Sequence, residues 1–376
     1  MEHILYWLWL TTKSGISSSK IVRLLEHYKS VEEIYYTKNF NIDGFSEKHI
    51  NLLRDKNLSK AKYVLDRTVR IGSYIIVYDD ERYPEILRNT PCPPHVLYVL
   101  GDFPDINNLL TIGIVGTRHS SDYGRVVTER ISTDLASKGV ITVSGLAAGI
   151  DAVAAWATVD VGGCHVGVVG NGLDIVYPGE NAELAKQVIQ NGCIISEFYP
   201  GIKPFPSNFP MRNRIIAGLS RGVLVTEAPE KSGALITAKY ALDYNRDVFA
   251  VPRDITAVKY QGTNSLIRSG AKLTQCADDI ISEYPYASLV PKKLSPRDSA
   301  EHKTINKNNT KHDSKLDSLT GIEKDIANLL KKSDMQIDEI TRFLEKPVGE
   351  INTKLIMLEM KGIIKKLPGS KYQLNI

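Results

Sequence analysis

The chain has 376 residues and a mass of 41.8 kDa, enough for two or three cores at roughly 150 residues per domain. Its 43% hydrophobic and 24% charged residues lie near the globular average, which excludes global disorder. The net charge of +4 is uneven: residues 292–376 carry +5 and the first 291 carry −1, so a nucleic-acid site in the larger part must be a local basic patch.

Ile4 to Leu10 is the longest apolar run near the start, far short of the roughly 20 residues that span a bilayer. It lacks a cationic leader and a small-residue cleavage site, so it predicts a buried first helix in a soluble, cytoplasmic chain with no membrane contact. Up to about Val77 the pattern stays helical. Ile21, Leu24, Leu25 and Tyr28 form one apolar stripe, and Gly15-Ile16-Ser17 offers a turn before it. A helix–hairpin–helix unit fits, but its glycines are too sparse for a DNA-binding claim, and a helical packing module is the favoured assignment.

From Asp79 to about Tyr284, short apolar runs alternate with helix-period segments. The runs are Leu110–Val115, Val140–Val143, Val166–Val169, Ile194–Ser196, Val223–Thr226 and Val248–Val251; between the first two, Val127, Ile131 and Leu135 recur at helical spacing. Buried strands alternating with amphipathic helices specify an α/β fold with a mostly parallel sheet. Pro291 to Asp317 is polar, with Lys307-Asn308-Asn309 near its middle, and predicts a flexible linker. Beyond it, Ile322, Ile326, Leu329 and Leu330 mark one helix and Ile337–Leu344 a second. Pro347 opens a third, with Val348, Ile351, Leu355 and Leu358 on one face. Gly362-Ile363-Ile364, Pro368-Gly369-Ser370 and Tyr372–Leu374 then predict a hairpin, completing a winged-helix layout. The expected division is a helical domain at 1–78, the α/β domain at 79–285, a linker at 286–317 and the winged helix at 318–376.

Four cysteines, Cys92, Cys164, Cys193 and Cys276, stand far apart without C-x-x-C spacing, so neither a disulfide framework nor a zinc site is expected. Glycines and small polar groups follow the α/β strands at Gly116-Thr117-Arg118, Ser144-Gly145, Gly170-Asn171-Gly172 and Ser232-Gly233. In an open parallel sheet, ligands bind beyond the carboxyl ends of the strands, where glycine admits a phosphate and helix N-termini supply N–H donors. One such turn is more simply a tight connection; four together predict an anion-binding rim. The first turn, Gly113-Ile114-Val115-Gly116-Thr117-Arg118-His119, departs from the dinucleotide fingerprint, and no acid ends the second strand. No G-x-x-x-x-G-K-[ST], G-x-S-x-G or H-E-x-x-H occurs. Neither a cofactor nor a catalytic apparatus is expected.

Pro204-Phe205-Pro206-Ser207-Asn208-Phe209-Pro210-Met211-Arg212-Asn213-Arg214 is basic and aromatic. Arginines where a helix begins suit phosphate oxygens, and a ring in a proline-stiffened loop suits base stacking. The plainer alternative has both rings plugging the core and the arginines pairing with acidic neighbours.

Gly113 to Arg118, Ser144-Gly-Leu-Ala-Ala-Gly-Ile-Asp151, Gly170-Asn-Gly-Leu-Asp174 with Tyr177-Pro178, and Ser196-Glu197 resemble the DprA/Smf DNA-processing family. So do Phe209-Pro-Met-Arg-Asn-Arg-Ile-Ile-Ala-Gly-Leu-Ser220, Glu227-Ala228, Ser232-Gly-Ala-Leu-Ile-Thr-Ala238 and Val248-Phe-Ala-Val-Pro252. The match covers nearly the whole α/β block in order, and the flanking modules agree. The resemblance implies a Rossmann-like domain that binds single-stranded DNA, with an N-terminal helical module like a SAM or helix-hairpin-helix domain and a C-terminal winged helix. It also implies a homodimer without known catalysis that protects incoming DNA in natural transformation and loads the RecA recombinase. Carried over residue by residue, it implies DNA contacts from Gly116, Thr117, Arg118, Asn171, Phe209, Arg212, Asn213 and Arg214, with the division between DNA-facing and bracing arginines left open. This chain departs from the pattern at Pro206, where a basic residue is usual and Lys203 is the nearest substitute, at Ala155 for a histidine, and at Arg253 for a glycine.

Two other functions compete. A phosphoribohydrolase needs a Gly-Gly-x-Gly-Thr turn that Ala228-Pro229-Glu230-Lys231-Ser232-Gly233 lacks. A transcription factor would read bases with the third winged helix, yet that helix offers Glu350 beside Asn352, Thr353 and Lys354, while basic groups gather in the hairpin at Lys365, Lys366 and Lys371. Protein contact or non-specific duplex contact by the hairpin is the better expectation.

Overall fold

The structure, a computed structural model, describes residues 2–257, 260–290, 321–330, 335–344, 346–360, 363–367 and 371–374. They fall into two compact units, Met1–Lys293 and Leu294–Ile376.

The first unit opens with helices α1 (Glu2–Thr11), α2 (Ser18–His27), α3 (Val31–Tyr36), α4 (Glu47–Arg54) and α5 (Ser59–Arg70). Then follow β1 (Tyr74–Val77), α6 (Glu85–Arg88), β2 (Val96–Gly101), β3 (Thr111–Val115), α7 (Asp122–Ser137), β4 (Ile141–Ser144) and α8 (Ile150–Asp160). The unit continues through β5 (His165–Val168), α9 (Ala182–Asn191), β6 (Cys193–Ser196), α10 (Asn208–Leu219), β7 (Gly222–Val225) and α11 (Gly233–Asp243). It ends with β8 (Asp247–Ala250), α12 (Gly262–Arg268), β9 (Lys272–Leu273) and α13 (Ala277–Ile281).

The nine strands form one sheet in the order β1-β2-β6-β5-β4-β3-β7-β8-β9. β1 pairs antiparallel with β2, and β2 antiparallel with β6; all other pairings are parallel. Every residue of β3 to β7 is buried, because helices cover both faces of a parallel sheet. The six strands expected from apolar runs lie within a residue or two of their predicted positions. After β3 the chain builds outward through β4, β5 and β6, then returns to place β7 on the other side of β3. This reversal creates a crevice at the carboxyl ends.

Two boundaries differ from expectation. Tyr74-Ile75-Ile76-Val77, assigned to the helical module, is the sheet's edge strand. Helices α1 to α5 are also not a separate body. Trp7, Leu10, Leu24, Ile34, Leu53 and Val64 share one apolar core with Ile75, Val96 and Tyr98 of the sheet and with Ala155 and Val188 of α8 and α9. α1 is apolar on nearly every side and buries Tyr6 through Leu10, so it needs partners beyond its own bundle. Residues 286–290, assigned to the linker, return to the sheet: Ser288 bridges Leu109, and Val290 N donates to Gly139 O at 2.8 Å. The rest of the linker, including Lys307-Asn308-Asn309, lies outside the described residues, as does the hairpin turn Pro368-Gly369-Ser370.

The second unit contains α14 (Ile322–Leu330), β10 (Met335–Gln336), α15 (Ile337–Leu344), α16 (Val348–Met360), β11 (Ile364–Leu367) and β12 (Lys371–Leu374), with strands ordered β10-β12-β11. Ile326, Leu330, Ile340, Ile351, Leu355, Leu358 and Tyr372 form its core. Lys354 of α16 is held by Glu323 at 3.1 Å, which removes the one cation that helix was expected to offer to DNA. Three helices and a three-stranded antiparallel sheet make this a winged helix.

Candidate nucleic-acid interface

The crevice at the carboxyl edge is a cleft of about 490 Å³ lined by the connections after β3, β4, β5, β6 and β7. Gly116, Thr117, Arg118 and His119 come from the first, Asp151 from the second and Tyr177 from the third. Phe209, Arg212 and Asn213 come from the fourth, and Lys231 to Ala234 from the fifth.

The first turn is braced from behind. A Cβ on Gly116 would stand 2.5 Å from Ile150, so this glycine lets α8 pack against the turn rather than opening a path to phosphate. Thr117 is buried: its N–H donates to Glu227 O at 2.8 Å, and its own carbonyl accepts from Ile150 N at 3.1 Å. Gly149, at φ +77°, is needed because a side chain there would strike the Thr117 carbonyl. Glu227 is also buried, and its carboxylate accepts Ser121 N at 2.8 Å and Ser121 Oγ at 2.6 Å and pairs with Arg253 at 3.3 Å. Arg253, in place of the family's glycine, is thus a buttress, with its guanidinium over Tyr123 and Tyr260.

Asp151 occupies the position where a bound anion was expected. Its buried carboxylate accepts N–H groups from Gly145, at 2.9 Å, and from Ala147 and Gly116. Burial pushes its pKa up, opposed by the Arg212 guanidinium and those N–H donors. Arg212 itself is only 3% exposed. Its Nη1 donates to Gly145 O at 2.6 Å and to Val168 O, tying the ends of β4 and β5 together. Burial draws its pKa down to about 10, against the pull of Asp151 and with a smaller push from Arg118, so it stays charged at neutral pH. This charge is committed to the protein's own carbonyls and carboxylate.

Arg118 is the opposite case. It is exposed, it has no acidic partner among the described residues, and its guanidinium stands over the Phe209 ring at 5.3 Å. Tyr177, 43% exposed, flanks the same ring at 5.4 Å, and its peptide bond to Pro178 is cis. Across the cleft, α11 points its N-terminus inward, with the Ser232 hydroxyl accepting Ala234 N at 3.2 Å. Exposed Lys231 precedes that cap, again without an acidic partner among the described residues. Asn213 lines the cleft and donates to Gly233 O at 3.2 Å. The charge the cleft presents is therefore positive, beside an aromatic face.

Three expected contacts lie elsewhere. Arg214 lies on another face of α10 and grips Glu197 with two bonds of 2.6 and 2.8 Å; burial raises the Glu197 pKa, opposed by Arg214. Asn171 is 1% exposed and donates to Gly172 O and Ile175 O, stabilising its own loop. Lys203 is exposed but stands outside the cleft lining. Phe205 is 54% exposed and Phe209 half-buried, so neither ring is a core plug. Lys231 and Tyr177 were missed as site residues. A cation just before Ser232-Gly233, where a helix begins, was the available signal for Lys231; for Tyr177 only tertiary placement reveals it.

A parallel α/β sheet with a cleft at its switch point, where cations without an acidic partner among the described residues stand beside an aromatic ring, defines the Rossmann-type class. The sequence matches the family described as DNA recombination-mediator protein A over residues 74–285, and the DprA winged helix domain over 310–370. It is 35% identical over 390 residues to the protein Smf of Synechocystis, covering 98% of each chain. To the DNA processing protein DprA of Bacillus subtilis it is 41% identical over 214 residues, 57% of this chain and 72% of that one. The solved DprA of Streptococcus pneumoniae superposes with a TM-score of 0.62 at 31% identity, covering 74% of this chain and 97% of that one. DprA of Helicobacter pylori, whose structure describes a single-stranded DNA binding mode, gives 0.51 at 28% identity over 56% and 94%. The chain belongs to the DprA/Smf family of DNA-processing proteins.

Proposed function

We propose that the cleft binds single-stranded DNA, and that the chain serves natural transformation by covering the incoming strand and passing it to the RecA recombinase. One observation carries the binding proposal: Arg118, without an acidic partner among the described residues, lies over Phe209 in a cleft whose other side holds Lys231 and the N-terminus of α11. Guanidinium and ammonium groups meet phosphates, while Phe209 and Tyr177 take an unstacked base. A base within a duplex cannot reach such a ring, which favours single strands. The relative from Helicobacter pylori, described as binding single-stranded DNA, supports the same assignment.

Gly116, Thr117, Arg212 and Asn213 shape this site, and Arg118, Phe209 and Lys231 touch the strand. Lys203 serves where the strand leaves the cleft, and Arg214 and Asn171 act through the fold. The protein binds rather than transforms its ligand: both acids behind the cleft, Asp151 and Glu227, are buried and held by N–H donors or arginine. A homodimer follows from the family resemblance, as does a cytoplasmic site of action; among the described residues no helix is long and apolar enough to cross a membrane. The winged helix contacts protein, or duplex backbone, through exposed Lys365 and Lys371.

The test is a salt-dependent binding assay with single- and double-stranded oligonucleotides and the full chain. A preference for single strands with a steep salt slope is expected. Equal affinity for both, or release of base from a nucleotide monophosphate, would overturn the assignment.

A further inference from the structure

The α5 helix carries two faces of opposite character. Ala61, Val64 and Thr68 are buried, at spacings of three and four. Lys60, Tyr63, Arg67 and Arg70 repeat the same spacing on the outside, and Tyr63 is 54% exposed. The outer stripe adjoins the cleft's own connections. Arg67 Nη2 pairs with Asp174 at 2.6 Å in the connection after β5, the connection that carries Tyr177. The other Asp174 oxygen accepts Gly201 N at 2.8 Å in the connection after β6, just before Lys203 and Phe205. Lys60 Nζ stands over Tyr199 at 5.4 Å in that same connection. One carboxylate thus fastens the helix to both connections that reach Phe209.

The arrangement repeats the cleft's chemistry. In the cleft, Arg118 covers Phe209 at 5.3 Å; on α5, Arg67 covers Tyr63 at 5.8 Å and donates to its hydroxyl at 3.0 Å. In the chain, exposed Lys203 and Phe205, the latter 54% exposed, come between Gly201, which Asp174 holds, and Phe209. Two acids qualify the charge: Asp174 is spent on Arg67, and Asp66 on Arg70 at 2.9 Å. Lys60 and Lys203 have no acidic partner among the described residues; Lys60 Nζ gives one of its three donors to Thr12 O at 2.9 Å, which leaves two for a phosphate.

We infer that the single-strand path does not end in the cleft but continues over Lys203 and Phe205 onto the outer stripe of α5. Lys60 and Lys203 meet phosphates there, and Tyr63 stacks a base. The occupant is the same strand that fills the cleft, so the inference rests on the cleft being a single-strand site. It gives the N-terminal helices a share of the binding surface and makes affinity depend on strand length.

Thymidine oligomers of graded length, bound to the full chain at several salt concentrations, test this. Single-strand sites of this kind span roughly 4–16 nucleotides, so the shortest oligomers fill the cleft alone and the longest reach α5. The Lys60→Ala/Tyr63→Ala variant should bind the shortest oligomers as the wild type does. On long oligomers it should lose roughly tenfold in affinity, by the stacking of one base, and its log–log salt slope should fall by about 0.7 for one phosphate contact. Unchanged affinity and slope on long oligomers, or equal losses at every length, would overturn the extension. Arg118→Ala separates the two proposals. If it leaves the shortest oligomers bound normally, the cleft assignment fails; if it abolishes them while the α5 variant behaves as the wild type at all lengths, only the extension fails.

Discussion

Two guanidinium groups approach the Phe209 ring from different segments, Arg118 at 5.3 Å from the turn after β3 and Arg212 at 6.0 Å from α10. Their surroundings are opposite. Arg212 is buried among the Gly145 and Val168 carbonyls and the Asp151 carboxylate, while Arg118 is exposed with no acid beside it among the described residues. Nη1 of Arg212 holds two buried carbonyls, and lending it to a ligand would leave both acceptors without this donor; its buried Nε has no partner among the described residues. Residue type in a motif therefore does not separate a contact from a brace. Exposure, and what the side chain already holds, does.

The largest effect should come from the buried side. Arg212→Ala leaves the buried Asp151 carboxylate without a neighbouring cation and two carbonyls without this donor, and should lower the unfolding free energy by about 3–5 kcal/mol in urea titrations. Arg118→Ala should leave that titration unchanged, weaken all single strands alike and reduce the salt slope by about 0.7. If the two variants unfold at the same urea concentration, the contrast between them is wrong.

Phe209→Leu comes next. Loss of the π face should cost about 1–3 kcal/mol of strand affinity with little change in salt slope. Normal binding by Phe209→Leu together with unfolding of Phe209→Ala would assign the ring to the core.

The interior can be probed by pH through His165, fully buried between Thr142 Oγ1 at 2.7 Å and Ser144 Oγ at 3.1 Å. Burial draws its imidazole down to about 3 from the ordinary 6.5. The unfolded chain takes up that proton first as pH falls. The stability from a neutral His165 is therefore complete above 6.5 and is lost on the way down to about 3, by about 1.4 kcal/mol for each pH unit. His95, also drawn down to about 3 by burial, adds a similar slope. Urea titrations across this range should show His165→Asn with one proton's worth less pH dependence than the wild type. Equal slopes would mean His165 is already charged in the fold.

The smallest expected effect sharpens the contrast most. Among the described residues Arg253 reaches the Arg118 turn through Glu227, Tyr123 and Tyr260, the last of which donates to His119 O at 3.2 Å. Arg253→Met should cost about 0.5–1 kcal/mol of strand affinity in the wild type and nothing further in the Arg118→Ala background. Equal losses in both backgrounds would show that Arg253 acts without Arg118.

Much of this was legible in the sequence. The parallel strands β3 to β8 declared themselves as buried apolar runs, and the winged helix as three periodic segments and a hairpin; the two-residue β9 did not show. Nor did β1 and β2: Tyr74–Val77 was counted with the helices before it although Gly72, at φ +73°, ends α5, and Val96–Gly101 was not picked out as a run. The cleft was legible as a place, from glycines recurring after strands. Its inner wiring was not. Nothing local to Arg212 or Arg214 says which face of α10 each occupies; that follows from the Gly145 carbonyl and Glu197, far away in the chain. The glycines themselves misled: Gly116 makes room for Ile150, and Gly145 for Arg212 and Asp151, not for a ligand.

The Asp151 carboxylate, holding the N–H groups of Gly116, Gly145 and Ala147, has a bearing on selectivity. Free nucleotides and inorganic phosphate bind glycine-rich turns by taking several main-chain donors at once. Here an internal anion already fills that socket and cannot diffuse away. What remains for a ligand is the N-terminus of α11 and a row of separate side chains, each good for one phosphate or one base. A monomer can engage only one of them, whereas a polymer engages several, each attachment raising the effective concentration for the next. On the proposed single-strand assignment, the chain would tell polymers from monomers by denying the monomer that foothold, and free nucleotides would compete poorly for the strand.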